Sequence, residues 1–126
     1  MIYPNRSDVE RFFISLSSRW SVEVNELNGR VEYEISKGDK SAVYCWDPKK
    51  PEEIWYTLRI GKLYEYEGWT EIFENEMKDV YFNYFQLITE RYLEYVTRIR
   101  KRWILFGNVD IQYKTNGKWR ALRKPT

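Results

Sequence analysis

"VEVNELNGRVEYEISKGDKSAVYCW", residues 22 to 46, decides the fold. Apolar and polar residues alternate with a period of two in Val22 and Val24, again in Val31, Tyr33 and Ile35, and again through "SAVYCW". Asn28-Gly29 and "KGDK" at 37–40 interrupt the alternation where the chain must reverse. A period of two places every second side chain on one face of a strand, and Asn-Gly favours the tight turn whose twist matches two antiparallel strands. The stretch therefore reads as three strands of an antiparallel sheet, entered at Trp20. Downstream, "DPKKPE" (47–52) is a loop, because neither proline can donate to a strand ladder. "IWYTLRI" and "LYEYE" then read as two more strands joined around Gly61. The expectation is a five-strand antiparallel meander over about residues 20–67.

Upstream, Ser7 and Glu10 have capping-box spacing, with Val9, Phe12, Phe13 and Leu16 at helical intervals behind them. This predicts a short amphipathic helix ending near Ser18. Downstream, residues 69–103 contain no Gly or Pro, and Phe73, Met77, Val80, Tyr84, Ile88, Tyr95 and Ile99 recur at steps of three, four or seven. That spacing predicts one long amphipathic helix, continuous or in two pieces, packed across the sheet. "WILF", "NVDIQYK" and "KWRAL" follow as short strands, with Asn116-Gly117 turning a C-terminal hairpin. The fold class is α+β in one domain spanning 1–126, with Trp20, Val22, Val31, Tyr33, Trp55, Leu58, Val80, Tyr84, Ile88 and Tyr95 expected mostly buried.

Composition narrows function. The 126 residues are 43% hydrophobic and 18% aromatic, well above a disordered chain. A formal net charge of +2 gives no global polyanion-binding signature. No apolar run reaches the ~18 residues that cross a bilayer, the N-terminus lacks a signal pattern, and the single Cys45 permits no internal disulfide. A cytoplasmic protein is expected. There is no histidine, which removes the commonest general base, the histidine-dependent nucleophile pairs and most zinc sites. Cys45, between Tyr44 and Trp46, reads as a small core hydrophobe. Glu65 and Glu67 are the remaining pair able to run carboxylate chemistry, yet on a strand they read first as a solvent face. A non-enzymatic protein without metal or cofactor is expected.

Charge is unevenly placed. "KLYEYEGWTEIFENEMKD" (62–79) threads Glu65, Glu67, Glu71, Glu74, Glu76 and Asp79 among large aromatics. Four of these acids fall where the start of the long helix would favour anions without any partner. Glu65 and Glu67, alternating with Tyr64, Tyr66 and Trp69, resemble in composition a surface that grips a basic groove, with acids steering and rings anchoring. From Arg98 onward nine basic residues face Asp110 alone, a net of +8, against −6 for residues 1–97. Arg98, Arg100, Lys101 and Arg102 suit the negative end of the helix. Lys114, Lys118, Trp119, Arg120, Arg123 and Lys124 have the composition of a nucleic-acid contact. The leading expectation is a binding module, such as a bacterial immunity protein or phage-encoded inhibitor, that blocks a basic, nuclease-like protein through Glu65, Tyr66, Glu67, Trp69, Glu71 and Glu74. The alternatives are a nucleic-acid-binding or regulatory protein using the basic C-terminal hairpin, and a chaperone-like or structural dimer. The protein is expected to be a monomer or homodimer.

Overall fold

The computed structural model describes residues 5–51, 53–61, 63–70, 78–101 and 109–122, with backbone alone for 63–70, 78–81, 99–101 and 109–110. Helix α1 (Arg6–Ser15) opens the chain and closes in a single 3-10 turn, Leu16–Ser18. Its cap is not the expected Ser7 and Glu10 pair. Asn5 accepts from the Asp8 backbone N–H at 2.8 Å, and Asp8 accepts in return from the Asn5 N–H at 3.3 Å. The helix starts earlier than the serine suggested because Asn is as good a cap and Asp8 is short enough to reach back.

Five strands follow: β1 (Ser21–Leu27), β2 (Arg30–Lys37), β3 (Lys40–Trp46), β4 (Ile54–Ile60) and β5 (Leu63–Thr70). They form one antiparallel sheet in sequence order, with β1 and β5 at the edges. Asn28 and Gly29 both take positive φ, 53° and 81°, as a two-residue turn of the primed type requires. Val31, Tyr33 and Ile35 of β2, Ala42, Tyr44 and Trp46 of β3, and Ile54, Tyr56 and Leu58 of β4 are buried on one face. Both helices cover that face. Phe13 of α1 stacks on Tyr33 with 4.7 Å between ring centroids and tilts against Tyr44 at 5.0 Å. Phe85 meets Tyr44 from the other helix at 5.4 Å.

That second helix, α2, is Lys78–Glu94 and not a helix over 69–103. Trp69 and Thr70 are strand residues of β5, and Thr97–Lys101 is strand β6. Absence of Gly and Pro permits a helix but does not require one, and the β-branched Val96, Thr97 and Ile99 favour extended backbone. The buried stripe is also rotated from the expected one, to Phe82, Phe85, Ile88, Thr89, Tyr92 and Leu93. Tyr84 is only half-buried, Tyr95 lies past the helix end at 37% exposure, and Val80 is described in backbone only.

β6 pairs with β7 (Val109–Thr115), and β7 with β8 (Lys118–Ala121). The expected C-terminal hairpin is thus the outer part of a three-stranded antiparallel sheet with β7 at its centre. Asn116 and Gly117 turn it with φ of 50° and 75°. "WILF" at 103–106 lies outside the described residues. The small sheet rests against the C-terminal half of α2. Arg91, buried, donates to the Leu122 carbonyl at 3.1 Å and lies over the Tyr113 ring, whose edge meets Tyr95.

Candidate functional site

Because both helices lie on one side, the other face of the five-stranded sheet carries no helix on its described positions. Ladder register aligns its side chains into cross-strand rows. One row runs Asn25, Glu32, Cys45, Trp55 to the β5 position of Trp69, and the next runs Glu23, Glu34, Val43, Thr57 to that of Glu67. Trp55, expected in the core, is 50% exposed on this outer face. The reason is parity. Ile54, Tyr56 and Leu58 point into the core, so position 55 cannot join Leu58 there in a regular strand. Its indole N–H donates to Glu53 at 3.3 Å.

Acids dominate the described part of this face. Glu23, Glu32, Glu34, Asp47 and Glu53 stand on or beside it with Arg30, Lys50 and Arg59. Two of these cations are neutralised locally, Arg59 by Glu34 and Arg30 by Asp47 at 3.5 Å. Glu23 and Glu32 form no ion pair among the described residues. At the β3–β4 end, Arg30, Cys45, Asp47, Lys50, Glu53 and Trp55 line an open cleft of about 250 Å³. Cys45 forms part of its wall and is only half-buried, so it is not the core hydrophobe expected. Burial, then the neighbouring Glu32 carboxylate, pushes the Cys45 thiol above its usual pKa. A thiol held protonated is a poor nucleophile at neutral pH, which argues against covalent chemistry in the cleft. Among the described residues, no three His, Cys, Asp or Glu side chains gather as a metal site.

The expected acidic stretch is placed in part. Glu65, Tyr66, Glu67 and Trp69 lie on β5, described in backbone only, while Glu71 and Glu74 lie outside the described residues. Tyr66 pairs with Leu58 and Tyr64 with Arg59, leaving Glu65 as the extra residue of a β-bulge. The bulge interrupts the simple two-residue spacing between Glu65 and Glu67. Glu23, Glu32, Glu34 and Trp55 were not singled out from sequence. The available signal was the polar phase of each strand, Glu32/Glu34 in β2 and Thr57/Arg59 in β4, which marks position 55 as outward.

The basic half also changes place. Arg98 and Lys101 sit on strand β6, not at a helix end, and Arg102, Arg123 and Lys124 lie outside the described residues. The end of α2 is served instead from the sheet. Lys40 donates to the carbonyls of Tyr92 and Tyr95, both at 3.1 Å, and to the Thr97 hydroxyl at 3.0 Å. Lys37 pairs with Glu94 at 2.6 Å, and the Trp20 indole N–H donates to the same carboxylate at 2.7 Å. Those contacts, the Lys37 bond first, hold the Glu94 carboxyl below its ordinary pKa. The structure brings Lys114 and Trp119 together across β7 and β8, while Lys118 and Arg120, opposite Thr115 and Tyr113, alternate onto the other face. Arg98 lies over the Trp119 ring at 4.1 Å and Lys114 at 5.7 Å. Among the described residues, no helix is long and apolar enough to cross a membrane. No family model, curated protein or solved structure matches this chain.

Proposed function

We propose that this chain is a non-catalytic protein-binding module whose outer sheet face blocks a basic partner, of the kind an immunity protein or phage-encoded inhibitor sets against a nuclease. The observation that carries the reading is Trp55, half exposed beside Glu53 on a sheet face without a covering helix, with Glu32 and Glu23 two and three strands away on that same face. An exposed indole is a costly surface for an isolated protein and a strong anchor in an interface. Carboxylates that form no ion pair on such a face attract a cationic surface from a distance and disfavour an acidic one. Five strands about 4.8 Å apart and seven residues at about 3.3 Å rise give a face roughly 24 Å by 23 Å. That is the scale of one side of a standard interface. The Glu67 and Trp69 positions of β5 continue its two cross-strand rows, whereas the Tyr66 position pairs with core-facing Leu58, so the sequence-derived surface meets this face only in part.

The test is selective capture. Tagged wild-type protein and a Glu32→Lys/Trp55→Ala variant are used as paired baits in lysate of the native host. The reading expects a basic protein retained by the wild type alone, with its activity, including any nuclease activity, inhibited at one-to-one stoichiometry. Equal capture by both baits, or a retained partner that is acidic or a second copy of this chain, would overturn it.

A further inference from the structure

We infer that the outer face of the three-stranded sheet, built on Arg98, Lys114 and Trp119, binds single-stranded nucleic acid. This site is separate from the five-stranded sheet and does not depend on the reading given to that face.

The local chemistry follows from the ladder. Lys114 on the central strand is directly opposite Trp119, and Arg98 on β6 is opposite Gln112, two residues along β7 on the same face. Arg98 therefore reaches diagonally across β7. Its Nε donates to Gln112 Oε1 at 2.8 Å, and its guanidinium lies 4.1 Å from the Trp119 centroid. One hydrogen bond and one ring contact thus position a cation while it remains exposed, with Lys114 exposed beside it. Lys118 and Arg120 are exposed on edge strand β8, but their partners in the ladder are Thr115 and Tyr113, so they alternate onto the face opposite Trp119 and lie outside this site.

Three ordinary explanations leave Lys114 unaccounted for, although the third also covers Arg98, because β6 is an edge strand like β8. These cations do not neutralise a helix terminus, because α2 ends at Glu94, and Lys40 donates to the Tyr92 carbonyl of its last turn and to the Tyr95 carbonyl just beyond. They do not pair with the acidic half: Arg6, Arg19, Arg30, Lys37 and Arg59 all form ion pairs, yet among the described residues Arg98, Lys114, Lys118 and Arg120 form none. Protection of an edge strand explains Lys118 and Arg120 on β8, but not Lys114 on the central strand.

Unneutralised cations around a positioned ring are what a polyanion with flat bases requires. Phosphates neutralised by Lys and Arg release counterions, and an unstacked base packs on an indole or on a guanidinium plane. A flat sheet reaches the faces of splayed bases, whereas a duplex hides those faces in its stack. The geometry therefore favours a single strand over a duplex.

The experiment is fluorescence anisotropy of the full chain with fluorescein-labelled oligo-dT and oligo-rU, each beside a duplex of equal length. Binding of a single strand tighter than duplex is expected. If Arg98 and Lys114 each neutralise a phosphate, affinity should fall about sevenfold between ~0.05 M and ~0.2 M salt. Trp119→Leu should weaken binding about tenfold with the salt slope unchanged, and Trp119→Phe should restore most of the loss. Arg98→Gln and Lys114→Gln should each reduce the slope by about 0.7. No binding at ~0.05 M salt, equal affinity for duplex, or indifference to Trp119→Leu would each overturn the inference. Should Trp119→Leu fail the circular-dichroism check for folding, Arg98→Glu/Lys114→Glu replaces it. That variant is expected to lose at least tenfold, and unchanged affinity would overturn the inference equally.

Discussion

Lys40 stands at the start of a strand, yet its ammonium spans from β3 to the Tyr92 and Tyr95 carbonyls and to Thr97, at the point where α2 gives way to β6. A charge-assisted donor on the last carbonyls of a helix satisfies groups that otherwise lack partners and complements the negative end of the dipole. Replacing it by Met keeps the apolar stem and removes all three donors. Lys40→Met should cost about 1.5–3 kcal/mol in urea unfolding, and a loss below ~0.5 kcal/mol would show the contact to be incidental. Glu94, next to it, is an anion at the wrong end of a helix, tolerated because Lys37 and Trp20 hold its carboxylate. Its folded pKa lies below the ordinary value of 4.5. The charged form is therefore favoured by folding, and its contribution is present above pH ~4.5 and disappears as pH falls through the lower folded value. Urea midpoints should drop across that window for the wild type and drop less for Glu94→Gln. No such contact can be read from sequence, since Lys37 and Lys40 each lie more than fifty residues from their partners at the end of α2 and look like ordinary surface charge.

At the scale of elements, local signals were legible where they were redundant and failed where one signal stood alone. The turns at Asn28-Gly29 and Asn116-Gly117 carry both the dipeptide and the flanking alternation, and both are turns with positive φ. At the start of α1 the Ser7–Glu10 spacing is the one read, and the chain uses Asn5 with Asp8. Asn5→Ala should therefore destabilise by about 1 kcal/mol while Ser7→Ala stays within ~0.5 kcal/mol, both by thermal unfolding; the reverse order would restore the Ser7 box. In 69–103 the lack of breakers and the recurrence of Phe73 to Ile99 at helical steps argue for one helix, while Phe82 and Leu93 lie off that stripe. Tertiary contacts chose the phase: Phe85 meets Tyr44 and Phe13, and the Tyr44 hydroxyl lies 2.7 Å from the Thr89 hydroxyl. Trp55 shows the same limit in a strand, because "IWY" is apolar on both faces and only Thr57 and Arg59 disclose which face is wet.

At the scale of the molecule, the helices cover one side of a five-stranded sheet, so the charge segregated along the chain becomes segregated in space. The outer face carries an exposed indole and, two and three strands from it, Glu32 and Glu23 without ion pairs, and the small sheet carries cations without ion pairs beside Trp119 among the described residues. The contrast in charge between the two halves was visible in sequence; which strands carry it was not, because face assignment depends on register. The central claim is that the outer sheet face is the binding surface. Its most direct test is the association kinetics of the captured partner with wild type, with Glu23→Lys/Glu32→Lys and with Trp55→Ala, by stopped flow at ~0.05 M and ~0.5 M salt. The account predicts that charge reversal slows association at least about tenfold at low salt and that the gap closes at high salt, where the Debye length falls to roughly 4 Å. Trp55→Ala should leave association nearly unchanged and speed dissociation, because a desolvated anchor acts after encounter. Identical association rates for wild type and the charge-reversed protein at both salt concentrations would contradict the account.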